Sequence, residues 1–183
     1  PHFEKMLYIN AQMISNYSDA YKIDKNEAYH RTVSQTIDWL EREMTDNKGR
    51  FYSSQDADSE GEEGLFFIWD KSEIESLLKE NAAEFIKLYQ VTDTGNFEGK
   101  NILNLNQSLQ TYAVENDIDY DALVTRLANS KRILWETREK RIPPLRDDKI
   151  ITAWNAMMIK SFSYAGQQLN RQDYLEIAIN AAE

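Results

Sequence analysis

Asp56, Asp58, Glu60, Glu62 and Glu63 place five carboxylates within the short stretch from Gln55 to Glu63. Carboxylates at this density repel one another at neutral pH, so something must offset the charge. Solvent and salt bridges do so in an ordinary exposed loop. A hard cation can do so, and so can a hydroxyl-rich ligand, where carboxylates held in different surroundings serve as acid and base. Asp56, Asp58, Glu60 and Gly61 match positions one, three, five and six of a calcium-binding EF-hand loop. Position twelve is Phe67 instead of the required glutamate, and the flanks read as strands, so the EF-hand pattern is incomplete and no metal is assigned.

A second chemistry-bearing cluster runs Arg141-Ile142-Pro143-Pro144-Leu145-Arg146-Asp147-Asp148-Lys149. Lys131 to Lys149 holds seven basic and four acidic residues, a local positive excess in an acidic chain. This stretch can pair with the acidic loop or meet an anionic ligand. Asp147 or Asp148 also suits the N-cap of a following helix, whose side-chain oxygen would accept from a free backbone N–H. Trp154 and Asn155 follow, an aromatic face beside an amide, the combination that holds a sugar ring; Trp154 also fits an apolar core face. His2 and His30 are the only histidines and lack metal-ligand spacing. Thr94 to Asn101, with Gly95 and Gly99, lacks the strand context of a phosphate loop and reads as a structural turn.

These residues must be positioned by elements that are mostly helical. Phe3, Leu7, Ala11 and Ile14 share a helical face, predicting a helix from about His2 to Asp19. Asp24 and Glu27 resemble a capping box ahead of Ala28, Val33, Ile37, Leu40 and Met44, which predicts a helical hairpin. Turn residues at Asp46 to Gly49 break the pattern. Phe51-Tyr52 and Leu65 to Trp69 then read as short strands around the acidic loop, a β-hairpin excursion spanning about residues 50–69. Helices are predicted again around Ile74 to Tyr89, from Tyr120 to about Arg141 before Pro143-Pro144, from Ile151 to Leu169, and from Tyr174 onward.

At 183 residues the chain has the size of one domain, and 42% apolar residues suffice for a packed core. Its net charge of −10 disfavours broad attraction to nucleic acid or an anionic membrane. There is no cysteine, which removes disulfides, thiolate metal sites and cysteine nucleophiles and suits a reducing, cytoplasmic setting. No apolar run approaches the roughly 20 residues needed to span a bilayer. The chain opens at Pro1 and closes at Ala181-Ala182-Glu183 within a helical pattern, as expected of a segment of a longer protein.

Four strings stand in a telling order: Pro1-His2-Phe3-Glu4-Lys5-Met6-Leu7-Tyr8, Phe51-Tyr52-Ser53-Ser54-Gln55-Asp56-Ala57-Asp58-Ser59, Gly95-Asn96-Phe97-Glu98-Gly99-Lys100-Asn101, and Arg146 to Asn155. Together they resemble the thioredoxin-domain-containing, YyaL-like family that includes spermatogenesis-associated proteins. The resemblance spans nearly the whole chain. It implies a longer parent with a thioredoxin-like domain upstream and an (α/α)6 toroid of the six-hairpin glycosidase type, of which residues 1–183 would be one fragment carrying the opening hairpins. That toroid is similar to those of N-acylglucosamine 2-epimerase-like enzymes and several glycosidases. Ile9-Asn10 stands where an aspartate is expected, and Leu145 where a histidine commonly precedes Arg-Asp-Asp-Lys.

The expectation is therefore a mainly α protein, part of a carbohydrate-active toroid of sugar epimerase, isomerase or glycosidase type. Asp56, Asp58 and Asp148 would supply acid and base, while Tyr52, Arg146, Asp147, Lys149, Trp154 and Asn155 would bind a sugar substrate. Glycoside hydrolysis needs two carboxyl groups about 5 to 9.5 Å apart, whereas epimerisation needs an acid and a base beside one carbon. No cofactor is assigned. The alternative is a non-catalytic helical scaffold that docks the parent's thioredoxin-like domain and protein partners.

Overall fold

The structure is a computed structural model that describes residues 2–183, and it is mainly helical with little sheet. In chain order the elements are β1 (Lys5–Met6), α1 (Leu7–Asp24), α2 (Glu27–Glu43), β2 (Ser54–Gln55), β3 (Asp58–Ser59), β4 (Glu62–Glu63), α3 (Lys71–Leu78), α4 (Ala82–Leu88), α5 (Leu109–Glu115), α6 (Tyr120–Arg138), β5 (Arg146–Asp147), α7 (Thr152–Leu169) and α8 (Gln172–Ala182). No helix among the described residues is long and apolar enough to cross a membrane. The chain divides into two compact units, residues 2–57 with Pro144–Glu183, and Asp58–Pro143.

In the first unit, α1–α2 and α7–α8 are two helical hairpins around a core of Leu7, Ile14, Ile37, Leu40, Met44, Phe51, Met158, Phe162 and Tyr174. Full burial of each such side chain contributes roughly 1.5 to 3 kcal/mol. α1 and α7 are parallel. Tyr8 meets Trp154 with ring centroids 4.9 Å apart. One turn further, Ser161 Oγ donates to the Ala11 carbonyl at 2.7 Å and Ser15 Oγ donates to Ser161 Oγ at 3.1 Å. Beyond these, the Tyr164 hydroxyl donates to Asp19. Residue numbers climb together on both helices, and the small residues Ala11, Ser15, Ser161 and Ala165 let the backbones approach.

Helix starts in this unit differ from the pattern-based expectation. Lys5 and Met6, expected inside the first helix, instead pair antiparallel with Gln55 and Ser54, and the helix runs on to Asp24. Pairing with a distant strand overrides local helical spacing there. Asn26, not Asp24, caps α2 by accepting from Ala28 N at 2.9 Å, while Asp24 accepts from Asn26 N. Neither Asp147 nor Asp148 caps α7: its N-cap position is Ile151, with no side-chain hydrogen bond, because Asp147 lies in a strand.

In the second unit α3 to α6 enclose Trp69, Ile74, Leu78, Phe85, Leu88, Leu123, Leu127 and Leu134. The acidic loop is a tight hairpin in which Asp58 pairs Glu63 and Ser59 pairs Glu62. Glu60 (φ 54°) and Gly61 (φ 83°) form its turn, both with the positive φ of a type I′ connection. Leu65 to Trp69, expected as a strand, is a turn; only Trp69 bridges, to Asn101. Arg141 takes its carbonyls, donating to Phe66 O at 3.2 Å and Ile68 O at 2.7 Å. The same guanidinium holds Glu73 through two contacts and stacks on Trp69 at 4.1 Å.

Gly95 has φ +70°, and a Cβ there would lie 2.2 Å from the Lys100 carbonyl oxygen. Gly95→Ala is therefore expected to cost more than about 2 kcal/mol, read as a lowered urea midpoint. Burial first, then the charges of Asp38 and Asp173, raise the Glu41 pKa above 4.5, against the lowering effect of Arg171. The native state thus holds this proton more tightly than the unfolded chain, so the penalty is complete above the folded pKa and disappears as pH falls through it. Glu41→Gln is expected to raise Tm at pH 7 by the equivalent of a few tenths of a kcal/mol, with the gain vanishing near pH 4 in a thermal scan series.

Candidate functional site

The short ribbon β1–β2–β5 gathers most of the residues singled out by type. β2 is its centre, with Ser54 and Gln55 opposite Met6 and Lys5 on one side and opposite Asp147 and Arg146 on the other. The ribbon persists despite two-residue strands because flanking groups extend it. Leu7 N donates to Ser53 O at 2.9 Å, Ser53 N to Asp147 O at 3.2 Å, and Asp56 N to Leu145 O at 2.8 Å. β1 runs directly into α1, and β5 precedes α7 by a few residues, so the N-terminal ends of the two parallel helices meet this ribbon.

Arg146 organises the exposed edge. Its guanidinium lies 4.2 Å over the Tyr52 ring, donates to Asp148 Oδ1 at 2.6 Å and reaches the Glu43 carbonyl at 2.8 Å. Asp147 accepts from Lys149 Nζ at 2.9 Å and from the Lys149 backbone N–H. That side-chain bond first, and the backbone bond second, hold Asp147 below the usual carboxylate range. Asp147 is therefore ionised at neutral pH and suits accepting hydrogen bonds. Tyr52 and Trp154 are partly buried against the first unit's core. Tyr8, which was not among the residues singled out by type, is the ring that Trp154 meets. Both rings sit in the first turn of their helices, Tyr8 second in α1 and Trp154 third in α7.

Asn155 has a different employment. It is 7% exposed, and its Oδ1 accepts from Phe51 N at 2.8 Å while Nδ2 donates to Phe51 O at 2.9 Å and Ile151 O at 3.2 Å. This amide clasps backbone at both of its ends.

The acidic loop is divided between the units. Asp56 is an exposed residue of the first unit, just past the ribbon, with Oδ1 accepting from Ala57 N at 2.7 Å. Asp58 belongs to the second unit, in β3. That unit carries a cavity of about 270 Å³ bordered by Ser59, Glu60, Glu73, Lys100 and Arg141. Arg141 and Glu73 are there engaged with each other, so this space is lined by paired charges. Leu145, at the position where a histidine was expected from the resemblance, is 76% exposed.

Comparison with known proteins gives matches that cover the whole of this chain. The whole chain aligns with spermatogenesis-associated protein 20 of Homo sapiens at 31% identity over 209 residues and with that of Rattus norvegicus at 29%. It aligns with an uncharacterised protein of Caenorhabditis elegans at 30% identity over 210 residues. The chain spans about a quarter of these relatives, 27%, 26% and 28% of their lengths. No protein-family model matches it.

Replacing Asn155 with Leu would strand both polar backbone groups of Phe51, each costing about 1 to 3 kcal/mol when buried without a partner. Asn155→Leu is expected to destabilise the protein by about 2 to 4 kcal/mol, measured by chemical unfolding, while Lys149→Ala at the exposed edge changes stability by under about 0.5 kcal/mol.

Proposed function

We propose, from the chain's relationship to spermatogenesis-associated protein 20, that these residues are opening hairpins of an (α/α) toroid whose rim binds carbohydrate within an epimerase, isomerase or glycosidase-type enzyme. The observation that carries this reading is the parallel, in-step packing of α1 against α7, each followed by its own antiparallel partner. Repetition of such hairpins side by side is how helical toroids and solenoids are generated. The ribbon supplies the rim at the N-terminal ends of the paired helices.

On this reading Trp154 and Tyr52 offer apolar ring faces to the sugar, with Tyr8 fixing the Trp154 ring. Arg146 and Lys149 donate to hydroxyls, and Asp147 and Asp148 accept from them. Asp148 and Asp56, both of the first unit, are the acid/base candidates of this rim, and a partner hydroxyl would compete with the existing Arg146 contact for Asp148. The rest of the parent, including the thioredoxin-like domain that the resemblance implies, would complete the cleft.

The ion pairs themselves favour a second reading, in which the charges are spent internally and the segment is a non-catalytic scaffold docking that domain and protein partners. The two readings separate by ligand observation. Saturation-transfer NMR with D-glucose, D-mannose and N-acetylglucosamine is expected to show binding by the wild type, weakened at least about fivefold by Trp154→Ala, a loss of about 1 kcal/mol. Asp148→Asn is expected to weaken binding and to abolish turnover in the full-length parent. Absence of any saccharide signal overturns the enzymatic reading and leaves the scaffold.

A further inference from the structure

Gln55 is 7% exposed, and its Oε1 is shielded from solvent with no hydrogen-bond partner among the described residues. An unsatisfied buried acceptor costs roughly 1 to 3 kcal/mol, and such groups are rare in native structures. This one lies in the central strand of the ribbon, directly opposite Lys5 on one side and Arg146 on the other. Residues directly opposite one another across paired strands project to the same face. Gln55 therefore shares a face with the guanidinium that stacks on Tyr52 and holds Asp148.

We infer that Gln55 is a ligand-binding residue of the rim, its Oε1 accepting a hydrogen bond from a hydroxyl of the bound sugar; the inference rests on the carbohydrate reading above. The chemistry favours a hydroxyl over other partners. The neighbouring residues on that face, Lys5 and Arg146, are cations, so a cationic ligand is repelled, and an anion has nothing to offer an acceptor oxygen. A neutral hydroxyl can donate to Gln55 while accepting from a neighbouring cation. Lys5 is only partly buried, and its long, flexible chain can swing aside to admit the ligand while Arg146 stays in place over Tyr52.

Gln55→Met removes the amide while keeping length and volume, and Gln55→Glu replaces it by a charged acceptor. If Oε1 awaits a ligand, Gln55→Met raises the unfolding midpoint and weakens binding of the saccharide found in the panel by at least tenfold. Binding returns in part in Gln55→Glu, which keeps an acceptor. A role confined to the fold gives a changed midpoint with unchanged affinity, and that result overturns the assignment while leaving the carbohydrate reading intact. Failure of the wild type to bind any of the three sugars removes both. Because Gln55→Glu tests the same contact with the opposite stability effect, misfolding of one variant does not obscure the outcome.

Discussion

The first unit depends on a single buried amide. Asn155 accepts from and donates to the backbone of Phe51, a residue 104 positions earlier, and in doing so fixes where the chain leaves α2 relative to α7. Phe51 is fully buried against Phe162, with ring centroids 5.3 Å apart, so the hydrogen bonds and the packing specify the same placement. From Phe51 the chain has only to advance three residues to reach β2, and from Asn155 it has only to step back to β5. The ribbon's strands are too short to find their register unaided. The clasp sets it for them.

That arrangement explains how charged residues can crowd the ribbon without pulling it apart. Arg146 and Lys149 each neutralise a neighbouring aspartate, and Asp147 is held ionised by its own near neighbours. Exposed pairs of this kind contribute little to stability, about 0 to 1 kcal/mol. Their effect is on orientation, fixing Arg146 flat over Tyr52. In the second unit Arg141 performs the corresponding task at greater depth, gathering turn carbonyls, Glu73 and the Trp69 face around one planar cation.

Much of the helical content was legible from apolar spacing: Ile37, Leu40, Met158, Phe162 and Tyr174 all lie in the core, as their periodicity requires. The turn at Gly95 was legible too, since its backbone conformation and the clasp by Asn101 are local. What was not legible is pairing at long range. Lys5-Met6 carries no strand signal of its own and becomes a strand because Ser54-Gln55 lies beside it. Leu65 to Trp69 has strong strand propensity, yet it folds as a turn that bridges to Asn101 at Trp69 and hands the Phe66 and Ile68 carbonyls to Arg141. Of the candidate site, the cluster from Arg146 to Trp154 was visible from residue type, but Asn155 could be assigned to the backbone only once Phe51 was seen beside it.

The parallel contact of α1 with α7 also imposes an order in time. Tyr8, Ala11, Ser15 and Asp19 find their partners at Trp154, Ser161 and Tyr164, so a ribosome must add well over a hundred residues before the first helix can be covered. At about 5 to 20 residues per second that interval is on the order of ten seconds. Asp58–Pro143, a continuous stretch, can meanwhile complete its own core. The first unit is thus the last to close, and during synthesis it is the nascent α1–α2 hairpin whose apolar side stands open to chaperones and to its own neighbours on the polysome.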